Sequence, residues 1–333
     1  MKINNYYLVL IFLLLLQPAF PGYAVTGTTN DPLLIGGGAR PLGMGRAFVA
    51  IVDDSDAPLI NPAGIATIKS PQLLTMFTNL LGEVYYAEIT GAVPSANGTF
   101  AAAYVTTGVN HVLTPIDSTL VYTDYYDNTL ILSYSSPLAR FFDYGRNLWF
   151  GANLKTFSRG FTGGTYATAS GWSADFGLKL VVNPYFSLGF NRQNLVPVNL
   201  GNVIKWSTGA EDAIAGIYKF GAAIRPKPFA RRLLLALDLD LPAQSGRPTT
   251  MHAGGEYQIN NNFIVRSGLD QSVDAASPNS ASWNPTAGIS VALGGFRLDY
   301  TFHDYTNDPS LATSYVSLSV QAEPGRVLEG GAD

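Results

Sequence analysis

Three histidines stand in the chain, His111, His252 and His303, and no cysteine does. His252 and Glu256 lie four residues apart, a spacing that puts both on one face of a strand. An imidazole beside a carboxylate is the material of acid–base chemistry. Such a pair needs a positioned nucleophile to act as a catalyst. None accompanies it, so the spacing predicts a hydrogen-bonded pair. The lack of thiols excludes disulfides, thiolate metal sites and catalytic cysteines. Three scattered imidazoles offer too few converging ligands for a metal centre. The glycine run "GGGARPLGMG" (residues 36–45) resembles a phosphate loop only superficially: no Gly-Lys-Ser/Thr follows, and no strand–helix frame surrounds it. Neither enzymatic activity nor a cofactor is expected.

The remaining ionisable residues recur within alternating segments. "GWSADFGLKLVV" sets Trp172, Ala174, Phe176, Leu178 and Leu180 against Ser173, Asp175, Gly177 and Lys179. "FRLDYTFHD" sets Phe296, Leu298, Tyr300 and Phe302 against Arg297, Asp299, Thr301 and His303. Period-two alternation of this kind predicts strands with one apolar and one polar face. Fourteen such segments can be counted: 72–81, 84–93, 98–108, 128–137, 147–159, 170–182, 185–195, 215–225, 232–240, 249–259, 262–270, 285–293, 296–304 and 313–321. Their lengths suit tilted strands crossing a bilayer, which need about 9–11 residues, and the even count suits a closed barrel.

Connections sharpen this reading. Tight turns ("PSAN", "NP", "NN", "GG") follow even strands, while the longer connections 109–127, 196–214 and 271–284 follow odd ones; the short "GE" after strand 1 and the longer "LARFFDYGR" after strand 4 break the pattern. Membrane barrels have short periplasmic turns and longer outer loops. Aromatics gather near the short-turn ends (Phe142, Tyr144, Trp149, Phe186, Tyr257, Phe296), as an interfacial girdle would. Only 13% of residues are charged although 47% are hydrophobic, against roughly 25% charged in soluble domains. Lipid-facing rows account for this without a spanning helix. A soluble exported all-β protein would also alternate, but the one-sided loops and low charge favour the membrane. The net charge of −4 argues against nucleic acid.

On the polar, lumen-facing rows the pattern places Glu88, Lys155, Asp175, Lys179, Lys219, Arg225, Asp238, Asp240, Glu256, Arg266, Asp270, Arg297 and Asp299, six bases against seven acids. Mixed signs predict mutual pairing, or pairing with whatever fills the barrel, and speak against a single-sign selectivity ring. Residues 1–24 read as a signal peptide, with Lys2, the apolar "LVLIFLLLL" and cleavage after Ala24. Residues 25–70 then form an N-terminal segment, 71–322 the barrel and 323–333 a C-terminal tail.

"GARPLGMGRAFVAIVDD" followed by "NPAGIA" resembles the N-terminal signature of FadL-like outer-membrane proteins, and within them the PorV/PorQ branch. The resemblance implies an all-β, fourteen-stranded antiparallel transmembrane barrel with a glycine-rich hatch in its lumen. It implies that Arg40, Gly43 and Gly45 belong to the hatch motif, with Asn61, Pro62, Ala63 and Gly64 at its turn. Arg46 departs from the glycine more usual there in this branch. The implied function is a hatch-gated passage or binding site for hydrophobic compounds such as long-chain fatty acids. The alternative is an outer-membrane component of protein secretion, a PorV-like type IX shuttle or anchor. The implied partners are outer-membrane lipid, a hydrophobic small molecule and secretion-system proteins. The implied place is the outer membrane of a Gram-negative-type bacterium, with hatch and C-terminus on the periplasmic side. Fatty-acid transporters carry a kink in strand 3 that opens a lateral gate, whereas "GTFAAAYVTTGVN" carries no internal mark of one. Within the hatch, Asp53, Asp54 and Asp56 are expected to pair with lumen bases such as Lys155 or Arg225.

Overall fold

The period-two rows of the sequence close on themselves in space. A computed structural model describes residues 28–29, 35–80, 82–116, 119–142, 145–164, 166–229, 232–243, 247–274, 277–307 and 309–322. The predicted signal peptide, the C-terminal tail and Tyr144 lie outside the described residues. Fourteen strands form one antiparallel barrel. In chain order they are β1 (Gln72–Leu80), β2 (Val84–Ser95), β3 (Gly98–Ile116), β4 (Thr119–Pro137), β5 (Leu148–Gly163), β6 (Ala167–Asn183) and β7 (Phe186–Gln193). The second half comprises β8 (Ile217–Ile224), β9 (Leu233–Pro242), β10 (Thr250–Gln258), β11 (Phe263–Asp274), β12 (Ser277–Leu293), β13 (Phe296–His303) and β14 (Thr313–Gln321). Consecutive strands pair as neighbours, and β14 closes on β1 through Val316↔Phe77 to Gln321↔Gln72. No helix among the described residues is long and apolar enough to cross a membrane.

The rows are inverted relative to a water-soluble protein. On β9, the outward leucines include Leu235 and Leu237, 39% and 48% exposed, while inward Asp238 is buried. That is the lipid-out, polar-in alternation of a membrane barrel. The tight turns fall at one end, where outward Phe100, Tyr134, Phe150 and Phe141 form a chain of aromatic contacts 5.1–6.2 Å apart.

Two expected long loops are instead strand. β3 and β4 keep pairing with each other up to Ile116↔Thr119 after β2 has ended opposite Val109 and β5 opposite Thr123. The segment "HVLTPIDSTLVYTDYYD" is rich in β-branched and aromatic residues, and a two-stranded ladder continues through them without further neighbours. At about 3.3 Å per residue and a tilt near 40°, such strands rise roughly 45 Å, well beyond an apolar band of ~25 Å. Likewise β11 and β12 extend into the expected connection 271–284. The connection after β7 does leave the wall, and it folds into a hairpin of Val203–Trp206 with Glu211–Ile214. That hairpin pairs with the upper part of β6, and Thr28–Thr29 pairs with it in parallel. β3 runs unbroken, with one bulge between Val109 and Val112.

Residues 35–70 lie inside the barrel. They fold as two short helices, α1 (Ala39–Gly43) and α2 (Ala57–Ile60), and a 3-10 helix, Pro62–Thr67. Their apolar side chains (Leu42, Met44, Phe48, Val49, Ile51, Val52) form the core with inward Met76, Tyr86, Val105, Ile131 and Tyr315.

Candidate functional site

A chain segment with so little regular structure must find partners for its backbone elsewhere. Here the wall supplies them. Gly38 N donates to Glu88 Oε1 at 2.7 Å and Ala39 N to Ser317 Oγ at 3.2 Å. Asp238 Oδ2 accepts from both Phe48 N (2.6 Å) and Val49 N (2.8 Å). Asn153 donates to Pro58 O (2.7 Å) and Gln193 to Leu59 O (3.2 Å), while Lys179 Nζ donates to Val52 O. Thr286 and Thr301 bind Gly45 N, Gly43 O and Ala39 O.

The Asn-Pro turn has a definite job. Asn61 Oδ1 accepts from Ala63 N (3.1 Å) and caps the 3-10 helix, with Pro62 at its first position, a site where proline's missing N–H is no loss. Its Nδ2 donates to Val49 O (2.9 Å) and to Leu178 O of β6 (3.0 Å). One fully buried amide therefore ties together the middle of the segment, its closing 3-10 helix and the wall. Gly64 sits against Val52, and a Cβ there would collide with it. Gly38 (φ 60°) and Gly45 (φ 59°) take left-handed backbone that glycine tolerates without steric cost. Arg46 adopts the same conformation at φ 66°, which accounts for glycine being a natural residue at that point.

The segment is held flush to the wall by facing glycines. Gly151 opposes Gly177 across β5–β6, Gly189 opposes Gly221 across β7–β8, and Gly254 opposes Gly268 across β10–β11. A Cβ on any of them would strike the segment: Pro62 and Asn61 at the first pair, Val49 and Ala50 at the second, Met44 and Gly45 at the third. Sequence reading missed this belt, although glycine at lumen-facing positions such as Gly151 and Gly177 was its visible sign.

Charge closes the site. Arg40 Nε meets Glu256 Oε2 at 3.0 Å and its Nη1 meets Asp54 at 2.9 Å and Asp53 at 2.6 Å. Glu256 meets Arg266 (2.7 Å), which meets Asp299 (3.1 Å), then Arg297 (2.8 Å), which returns to Asp54 (3.1 Å). Three guanidinium groups and three carboxylates thus alternate in a closed ring, with Asp53 on its rim. Each charge is flanked by opposite charges, which is what makes burial tolerable. Burial draws the Arg40 pKa down, but the surrounding carboxylates of Asp53, Glu256 and Asp54 override it and hold the group firmly cationic. Burial likewise pushes Asp54 up, and Arg40 and Arg297 bring it below its usual value.

Several expected pairings differ. Lys155 pairs with Asp175 at 2.7 Å, not with the acids of the segment. Arg225 lies beyond the end of β8, with its backbone N bonded to Tyr185 O. Asp53 pairs instead with Arg40, which its own segment delivers, while Asp54 pairs both with Arg40 and with a lumen base other than those expected, Arg297. His252 and Glu256 both face inward but part company: His252 Nδ1 meets Asp270 Oδ1 at 2.8 Å, in a second cluster with Arg46 and His303. Adjacent strands supply closer partners than a residue four positions away on the same strand.

Asp56 has no cation at all among the ion pairs of the described residues. It is fully buried, and neither carboxylate oxygen has a hydrogen-bond partner. Burial, then the nearby charges of Asp54 and Glu88, raise its pKa well above the ordinary carboxylate value. A raised acid contributes no penalty below the unfolded value near 4 and an increasing one as pH climbs toward the folded value. Asp56→Asn is therefore expected to raise the thermal unfolding midpoint relative to wild type, with a gap that widens from about pH 4 upward. Equal midpoints across that range would contradict it.

Toward the end opposite the tight turns, the lumen mixes apolar side chains with the buried Arg159–Asp127 ion pair, 2.6 Å long. Phe157, Ala169, Ile204 and Ile214 form a second buried cluster with Trp206 packed against it. Phe161 stacks on Trp206 at 5.8 Å and meets its cross-strand partner Tyr125 at 5.0 Å, an aromatic cluster at one level of the wall.

No protein-family model matches the chain, and no curated protein matches it by sequence. Solved structures do match by shape. The P. putida toluene transporter TodX matches with a TM-score of 0.61 at 13% identity, over 86% of this chain and 99% of that one. The Ralstonia pickettii toluene transporter TbuX gives 0.56 at 12% identity, over 86% and 97%. A Pseudomonas aeruginosa FadL homologue gives 0.57 at 11% identity, over 89% and 99%. At such identities the likeness is one of fold: this chain forms a closed fourteen-stranded antiparallel barrel similar to those of FadL-type outer-membrane proteins.

Proposed function

We propose that the protein is an outer-membrane barrel in which residues 25–70 act as a hatch over a passage or binding site for hydrophobic compounds, long-chain fatty acids or monoaromatics among them. The observation that carries the reading is the seating of the segment: backbone against facing wall glycines, with its charges paired into a ring. Such a seal blocks the lumen until it shifts, and the aromatic side chains of Tyr125, Phe161 and Trp206 on its outer side offer apolar contacts suited to an oily solute. The fold neighbours named as toluene transporters support the same reading. Hatch and C-terminus belong on the periplasmic side, as the tight turns do. The Arg40, Gly43, Gly45 and Asn61–Gly64 motif residues then seat and shape the hatch; the lumen-facing charges of Lys179, Asp238, Glu256 and Arg297 anchor it, Arg266 and Asp299 complete the ring behind them, and Lys155 and Asp175 pair with each other beside it.

Uptake of labelled oleate and toluene into liposomes containing the purified barrel tests the proposal. Asn61→Ala removes one cap and two clamping bonds, each worth about 1 kcal/mol, and is expected to change uptake by roughly fivefold or more. No uptake of either solute above empty liposomes would refute a transport role. A secretion role, of the PorV-like type IX kind, is favoured by one observation. The hairpin of β3 and β4 projects beyond the wall with Leu113, Leu120 and Tyr122 exposed by 52%, 65% and 60%, a surface suited to a protein partner. Recovery of a stably bound secreted protein, lost on Leu120→Asp, would select that reading.

A further inference from the structure

The leading turn of the inner segment, Gly36–Gly38, is seated between two acids. Glu88 of β2 is 4% exposed, and Tyr86 and Asp56 are fully buried. Gly38 N donates to Glu88 Oε1 at 2.7 Å. Gly38 also lies against Asp56, whose Oδ2 a Cβ there would strike. Neither acid forms an ion pair among the described residues. The charged and titratable groups facing them are Asp54 of the same segment, Arg297 and Asp299 of β13, and Tyr315 of β14. Arg297 is already held by Asp54 at 3.1 Å and Asp299 at 2.8 Å. The cross-strand partners of Glu88, Met76 on β1 and Val105 on β3, carry no charge.

Three oxygens in this seat stand in a row. Tyr86 Oη lies 3.0 Å from Glu88 Oε2 and 3.2 Å from Gly36 O. A phenol donates once, and both of its neighbours are pure acceptors while Glu88 is ionised. One contact would then press two oxygens together with no hydrogen between them. A protonated Glu88 supplies that hydrogen. Its hydroxyl donates to Tyr86 Oη, the Tyr86 hydroxyl donates to Gly36 O, and Oε1 still accepts from Gly38 N. Beside it, both oxygens of Asp56 are buried without a hydrogen-bond partner. A carboxylate so placed, with Asp54 and Asp299 near, lacks any group that would make its charge tolerable.

We infer that seating of Gly36–Gly38 binds protons, one on Glu88 and one on Asp56, and that their loss at rising pH lifts the leading turn of the hatch from the wall. The sign follows from linkage: protons held only in the seated state favour seating when abundant, and each weakens it about tenfold per pH unit once it leaves. The inference rests on the reading of this segment as a hatch; it concerns when the hatch lifts and not what passes.

Amide exchange of peptides covering residues 36–40 in the folded barrel, corrected for the intrinsic rate and followed from about pH 6 to about pH 9, tests it. Wild-type protection should fall with rising pH while strand amides stay protected. Glu88→Gln offers an amide that donates to Tyr86 and accepts from Gly38 at every pH. It should keep wild-type protection at about pH 6 within roughly threefold, with a pH slope smaller by one proton. Glu88→Gln with Asp56→Asn should be flat. Accelerated exchange in Glu88→Gln at low pH, or an undiminished slope, overturns the proton on Glu88, and a slope that persists in the double variant overturns the site. Infrared spectra at neutral pH should show protonated-carboxyl absorption in wild type; its absence overturns the inference without any variant. Strand amides that lose protection in step with residues 36–40 overturn a local latch. The two readings fail separately: pH-dependent exchange without uptake of oleate or toluene sinks the passage alone, and uptake with flat exchange sinks the proton site alone.

Discussion

Arg40→Ala should release the inner segment while leaving the barrel closed. The Arg40 side chain is 8% exposed and reaches Asp53, Asp54 and Glu256 at 2.6, 2.9 and 3.0 Å. Its removal opens the ring and leaves Asp54 with Arg297 alone and Glu256 with Arg266 alone, while Asp53 loses its only ion-pair partner among the described residues. Deleting one member of a buried pair costs about 3–5 kcal/mol, because the partner's charge stays buried without compensation. Here three carboxylates share the loss. If docking of residues 36–56 depends on this bond set, amide exchange in that stretch should accelerate by roughly two to three orders of magnitude. The strand amides, held by a ladder that Arg40 does not touch, should keep their protection. Arg40→Lys should recover little, since an ammonium cannot spread donors over three carboxylates as a guanidinium does. High salt should change the wild-type exchange only modestly, because the pairs are shielded from solvent. Unchanged exchange in Arg40→Ala would show that the ring does not hold the segment.

Gly254→Val should unseat the same segment by shape alone. A Cβ at Gly254 would land on the Met44 carbonyl, and Gly268 presses equally on the Gly45 amide across the rung. Valine suits a strand better than glycine does, so the wall itself should tolerate the change. The burden falls on the segment, at about 1–3 kcal/mol for overpacking one site and more for Gly254→Val with Gly268→Val. Liposomes bearing the double variant should become leaky to small solutes that wild type excludes. Gly255→Val, one residue along on the outward face, is the matched control and should leave the barrel tight. A tight double variant would mean that the segment yields without uncovering a path.

The two variants also show where sequence reading succeeds. Alternation such as Trp172, Ala174, Phe176 against Ser173, Asp175, Gly177 depends only on the strand's two-residue repeat, so fourteen strands and their inside and outside rows were legible. So was the Asn61-Pro62 turn, whose capping chemistry is local. The pairing of Asp53 and Asp54 with Arg40 was not, because it requires knowing that α1 brings Arg40 back over residues 53–54. The extension of β3 past Gly108 and of β4 back before Asn128 was hidden too, since a ladder can outrun its neighbours wherever two strands keep each other's hydrogen bonds.

By itself, then, the order of residues determined which side chains face lipid and which face the lumen, and that a glycine-rich stretch precedes the strands. Backbone periodicity and local turn chemistry are properties of neighbours in the chain. Only the closed barrel decided that Gly151, Gly189 and Gly254 meet Gly177, Gly221 and Gly268 under the inner segment, and that Arg40, Glu256, Arg266, Asp299, Arg297 and Asp54 join into one ring. Those contacts link residues far apart in sequence, and they exist only once strand register has fixed which rows share a level of the lumen.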